Sequence, residues 1–222
     1  MLSVRKEVEP PAAVDAAGRE KNKGAHMEKI RKPILLLFIV GFILCGCGGI
    51  APEVIQVPMD YTPTNAVMPP RDIKDTPIYF VSFEDQRKNP DQIGENVEKA
   101  KIVPAKASAQ EVMSSLEKAF KREFNRAGLN VVDSREKAER MIRVFLQNLW
   151  VRESSTFHAS VVARVEVSSK SGEILANEGF RGAAERWGSS YSPEEYRKVI
   201  SDSYVELLKS IFQNDAFMKK WI

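Results

Sequence analysis

Cysteine is almost missing from this chain: there are two, Cys45 and Cys47, separated by one glycine. A disulfide between them would close a ring too tight for ordinary S–S geometry. No histidine or further cysteine lies close enough to complete a zinc set. No metal and no disulfide framework are therefore expected. Histidine is equally scarce, with only His26 and His158. A Ser-His-Asp arrangement downstream of the cysteines would have to use His158. That residue falls on the polar side of an alternating segment, where a solvated strand histidine is the commoner finding. Glycine-rich phosphate loops and the H-E-x-x-H zinc motif are absent as well. Ser115-x-x-Lys118 and Lys170-Ser171-Gly172 loosely match penicillin-binding motifs, but no S-x-N lies between them and Ser115 falls mid-helix. No catalytic residue and no cofactor are expected.

An excess of one charge is lacking over most of the chain. Residues 1–46 hold 8 Lys/Arg against 5 Asp/Glu, and the remainder holds 25 of each. The basic balance is thus confined to the N-terminal part, and nucleic acid is not an expected partner.

Long apolar runs are missing too, with one exception. Residues 34–44 are apolar or glycine throughout and follow a basic stretch containing Lys29, Arg31 and Lys32. That is the layout of a signal peptide starting at Met27. Residues 1–26 are polar and aperiodic and read as a non-native extension ahead of that start. A permanent span over 34–51 would reach only the lower edge of the needed length, and its second half is crowded with glycine. Either way the basic flank stays in the cytoplasm and the rest crosses. "LCGC" looks like a bacterial lipobox. Leu44, Cys45 and Gly46 form the signal-peptidase recognition residues, and Cys47 is the lipidated first residue of a mature chain, residues 27–46 being removed. Cys45 fits less well as the target because bulky Leu44 precedes it. Acyl chains on Cys47 would anchor the protein stably, at about 0.8 kcal/mol per buried CH₂.

Residues 47–76 carry five prolines and read as a tether lifting a domain off the membrane. The alternation in 53–58 offers a second reading, an edge strand. From 77 to 222 the pattern is globular. Residues 77–85 form a strand, 86–107 a long loop in which "AKIV" (100–103) could form a short strand, and Ser108-x-x-Glu111 opens a helix closed by Gly128. Residues 129–133 form a short strand and 140–152 a long one. Phe157, Ala159, Val161, Ala163, Val165 and Val167 then share one face of a strand that turns back through 174–182. Ser192-Pro193-Glu194-Glu195 starts the last helix with a capping box. Phe217 and Trp221 are expected to pack in the tail. The order implies an α+β, two-layer sandwich: a mostly antiparallel sheet of about four to five strands with two amphipathic helices on one face.

Candidate partner contacts are few. Asp85-x-Arg87 is either an internal ion pair fixing the 86–107 loop or a binding edge, the former being the commoner device. Arg186, Trp187 and Tyr191 share a loop and are residue types enriched at interface hot spots. Trp187 tucked over the following helix is the equally weighted alternative. Val162 and Trp150 could add a small patch on the open sheet face.

The lipobox, "FEDQR" at 83–87 with Ile93-Gly94, "SLEKAFKREFNRAGLNVV", and the run from Phe157 to Ile211 together resemble the YajG-type bacterial lipoproteins over residues 44–222. The resemblance implies an outer-membrane lipoprotein facing the periplasm, and Gly48 in place of Asp agrees with outer-membrane sorting. It implies a non-catalytic envelope component with a protein partner, with a homo-oligomer as a variant. The competing expectation is a periplasmic enzyme or small-ligand or lipid carrier, which needs a deep pocket with convergent polar groups.

Overall fold

A computed structural model describes residues 52–64 and 75–220. The signal segment, Leu44, Cys45, Gly46, Cys47 and Trp221 lie outside the described residues. Residues Ile50–Ile222 form one compact unit.

The fold is α+β around an open, mixed sheet. Its strands are β1 (Ile55–Gln56), β2 (Ile78–Asp85), β3 (Gln92–Asn96), β4 (Val103–Lys106), β5 (Arg140–Glu153), β6 (Phe157–Ser169) and β7 (Ile174–Arg186). The helices are α1 (Ala109–Arg126), α2 (Pro193–Gln213) and the short α3 (Asp215–Met218). The order across the sheet is β1-β4-β3-β5-β6-β7. β2 and β3 lie one after the other along the same side of β5, with Ile78 opposite Arg140 and Gly94 opposite Val151.

Two sequence expectations change here. The sheet has seven strands rather than four to five, and β1–β4, β2–β5 and β3–β5 pair parallel. The reason is that 86–107 is not a loop. It supplies β3 and β4, which are too short to show periodicity and gain their hydrogen bonds from each other and from β5 and β1. Residues 129–133 shrink to a single bridge, Val131 to Ile78.

The Pro-rich stretch is not a tether over 52–64; the edge-strand reading holds for its start. β1 adds to β4 and Val57 N–H continues the ladder to Lys106 O at 2.9 Å. The chain then runs on to α2, where Thr62 N–H donates to Ser201 Oγ and Thr64 N–H to Asp202 Oδ1. Ile55, Val57 and Tyr61 are buried, each worth about 1.5–3 kcal/mol of apolar transfer. Prolines are tolerated at such an outer position because no partner needs their missing N–H.

The long elements follow their sequence signals. Ser108 caps α1 through the full capping box, and Gly128 closes it at φ 80°. Val112, Leu116, Phe120 and Phe124 fill the stripe that meets the sheet, with Phe80 against Phe124 at 5.1 Å. Phe124 also meets Phe212 of α2 at 5.1 Å, so the helices join one core. Alternate residues of β6 from Phe157 to Val167 are buried. Ser192 caps α2 and Pro193 starts it, but the capping box is half made. The Glu195 carboxylate is taken instead by Arg186 at 2.7 Å and Lys198 at 3.0 Å.

Candidate functional site

The end of the sheet where β3 and β5 stop carries most of the unusual chemistry. Two loops meet there, 97–102 after β3 and 187–191 after β7. Glu153, the last residue of β5, lies between them and is 1% exposed. Its Oε1 accepts from Ser190 Oγ and from the Tyr191 backbone N–H, both at 2.8 Å. The Val97 N–H donates to its backbone carbonyl at 2.8 Å. Ser190 Oγ also lies against Glu98 Oε2 and accepts from Asn96 Nδ2, so its single proton serves either the Glu153 or the Glu98 carboxylate, and Lys99 Nζ stands 5.8 Å from the centre of the Tyr191 ring.

Tyr191 has φ 59°, a left-handed conformation that costs a non-glycine residue about 1–2 kcal/mol. Charge-assisted bonds of about 1.5–3 kcal/mol to the buried carboxylate offset that cost. On the far side of the loop, Arg186 donates to Glu195 at 2.7 Å and to Asp202 at 3.2 Å. Burial works against a charged Glu195, yet the Lys198 hydrogen bond and the Arg186 charge outweigh it and hold its pKa below the usual carboxylate value. A loop so held presents Trp187 at 74% exposure. Trp187 therefore does not tuck over the helix.

The five sequence-derived contact residues fall into two places. Trp187 and Tyr191 share the loop and Arg186 ends β7 beside it, with only Trp187 presented. Asp85 and Arg87 lie before the start of β3, away from it. Arg87 Nε and Nη2 donate to the two Asp85 oxygens at 2.9 and 2.6 Å, and Nη2 also reaches Pro90 O. With an Arg87 side chain only 4% exposed, this pair pins the chain into β3. A shallow hollow of about 200 Å³ lies beside it, lined in part by Gln92, Gln147 and Trp150.

His158 is less isolated than its strand position suggests. Thr156 Oγ1 lies 2.5 Å from Nε2, and Glu185 Oε2 lies 3.5 Å from Nδ1. The connectivity is that of a hydroxyl–imidazole–carboxylate relay. The hydroxyl residue, however, is 4% exposed while the imidazole and carboxylate are half exposed. An attacking group must reach its substrate, so this trio fits a clamp on the β5–β6 turn better than a nucleophile. The open hollow beside it is about 370 Å³, lined by Ser160, Arg181 and Glu185 among others.

No motif points to Glu153 or Glu123. Periodicity marks both: Glu153 is in phase with buried Leu149 and Val151, and Glu123 lies on the α1 stripe between Phe120 and Phe124. Glu123 is fully buried and accepts from Tyr61 Oη at 2.9 Å and Arg126 at 3.0 Å. Burial and then the Glu123 charge push the Tyr61 phenol well above its ordinary pKa. Among the described residues no cluster of ligating side chains could hold a metal ion. No described helix is long and apolar enough to cross a membrane.

No family model matches this chain, and no curated protein does. Solved structures do. Protein XCC0632 of Xanthomonas campestris, of family DUF330, aligns at 13% identity and TM-score 0.46, covering 74% of this chain and 96% of that one. Lipoprotein GNA1162 of Neisseria meningitidis aligns at 8% identity and TM-score 0.34, covering 52% and 87%. The PelC dodecamer of Paraburkholderia phytofirmans aligns at 11% identity and TM-score 0.35, covering 65% and 92%. The structural neighbours thus include DUF330-type and lipoprotein chains, at identities that do not assign a family.

Proposed function

We propose that this protein is a lipid-anchored, non-catalytic component of a bacterial envelope, of the YajG type, held at the outer membrane through Cys47 with its folded body in the periplasm. The carrying observation is the short distance in sequence between the lipobox cysteine and the fold. Cys47 precedes Pro52 by five residues, and β1 starts three residues later. Residues 52–64, which follow the anchor, are used as structure. The charged groups lining the loops are tied to one another, as in Asp85–Arg87 and Arg186–Glu195, which suits a rigid binding module.

Its protein partner, or a second copy, would add a strand to β7. That 13-residue strand pairs with β6 on one side and ends the sheet on the other. Such an edge is a ready template for β-addition. The Thr156–His158–Glu185 trio supports a second, hydrolytic reading, which requires the Thr156 hydroxyl to become accessible.

Replacing Cys47 by Ala tests the anchor. The expected result is loss of the acyl mass and release of the protein from the outer-membrane fraction. Unchanged mass and unchanged partitioning would sink the proposal.

A further inference from the structure

We infer that the loop-bearing end of the sheet rests on the phospholipid surface that holds Cys47, with Trp187 and Ile102 seated among the lipid headgroups. The inference rests on the anchoring proposed above and concerns what the domain does once anchored.

Strand direction fixes which end of the sheet faces the anchor. β1 runs parallel to β4, with Ile55 opposite Ala105 and Gln56 opposite Lys106. Chain preceding Ile55 therefore leaves past Val103, the first residue of β4, where loop 97–102 ends. The same end carries loop 187–191, because β7 finishes at Arg186 opposite Phe157, the first residue of β6. The two loops touch, through Glu98 with Ser190 and Lys99 with Tyr191. Five residues from Pro52 back to Cys47 span at most about 18 Å when fully extended. An acylated Cys47 thus keeps this end near the bilayer. A domain raised tens of Å on a long tether is incompatible with a built-in segment 52–64.

What this end presents agrees with such a surface. Four large apolar side chains are exposed among the described residues: Val81, Ile102, Ile174 and Trp187. The two at this end are Ile102, at 59%, and Trp187, at 74%; Ile174, at the β6–β7 turn, is at the opposite end. Lys99 and Lys101 share the loop with Ile102 and are exposed. Tryptophan and lysine are the residue types that settle at a membrane–water interface, the ring at headgroup depth and the ammonium in water. Glu53 and Glu194 are exposed at the same end, so the contact is driven by apolar seating rather than by net charge. The Glu153 and Arg186 ties hold Trp187 outward before any contact, so little ordering entropy is lost on seating.

The test uses the acylated protein, purified from membranes and placed in vesicles of phosphatidylethanolamine and phosphatidylglycerol with brominated acyl chains. The chain has three tryptophans, Trp150, Trp187 and Trp221; Trp150→Phe with Trp221→Phe leaves Trp187 as the reporter. The expected result is a blue-shifted Trp187 emission that loses most of its intensity to the bromolipid and keeps that loss at high salt. A spin label on Ile102→Cys should likewise be exposed to lipid-soluble oxygen, and one on Ile174→Cys to water-soluble relaxant. The labels serve equally if the tryptophan variant folds poorly. An acylated protein that floats with the vesicles while Trp187 stays unquenched and the two labels behave alike would overturn the inference, leaving this face for a protein partner. A protein carrying no acyl mass would overturn the anchoring itself.

Discussion

Tyr61, Tyr196 and Tyr204 are sunk in the interior, at 4%, 0% and 0% exposure. Burial raises the pKa of all three phenols, reinforced by the charge of Glu123 at Tyr61 and of Glu153 at Tyr196. The consequence has a sign. In the unfolded chain a tyrosine loses its proton near pH 10, while the buried phenol keeps it. Above that pH the unfolded state binds fewer protons, and stability falls by up to about 1.4 kcal/mol per pH unit for each tyrosine. Below it these groups contribute no slope. Urea unfolding at about pH 8 and about pH 11 should therefore give a marked loss, and Tyr204→Phe should remove roughly a third of it with little change at the lower pH. A loss of the same size in wild type and Tyr204→Phe would exclude Tyr204 as a contributor.

Between elements the tightest place is Gly182 of β7. A Cβ there would fall inside the van der Waals radius of the Ser203 and Leu207 backbone, so α2 lies directly on the strand. Gly182→Ala should cost about 3 kcal/mol or more through displaced packing. Gly179→Ala, on the same strand with nothing near its Cβ, should stay within about 0.5 kcal/mol of wild type. Chemical denaturation of the pair checks both, and equal stability would mean that the helix can shift without penalty. Elements differ in how far the sequence shows them. β6 alternates from Phe157 to Val167, and α1 carries its cap, stripe and closing glycine, so each is stated by its own residues. β3 and β4 are five and four residues long, and their hydrogen bonds are decided by strands far away in sequence. The half-made capping box at Ser192 has the same origin. Glu195 is within reach of the cap, but Arg186, held nearby by the β6–β7 pairing, takes its carboxylate. The loop before it showed its composition, Arg, Trp and Tyr, but not its conformation. The φ of Tyr191 is set by Glu153, 38 residues earlier.

For the molecule as a whole, the stretch 52–64 is the piece that joins sheet to helices. It pairs with β4, sets Tyr61 on Glu123 of α1, and hydrogen-bonds Ser201 and Asp202 of α2. A chain beginning at residue 75 should fold with a melting point lower by about 10 °C or more, since three buried apolar side chains are worth several kcal/mol and a domain of this size shifts about 2–4 °C per kcal/mol. Thermal unfolding of the shortened chain measures this, and an unchanged midpoint would mean the stretch is laid on a body already complete without it. The arrangement also has a mechanical meaning. In a protein held by Cys47, any pull on the domain enters at the first residue of β1 and runs along that strand. It loads the β1–β4 hydrogen bonds together, in shear, instead of peeling them one at a time. Behind them stand the Tyr61–Glu123 contact and the Thr62 and Thr64 bonds to α2, so drag on the anchored body passes straight to both long helices.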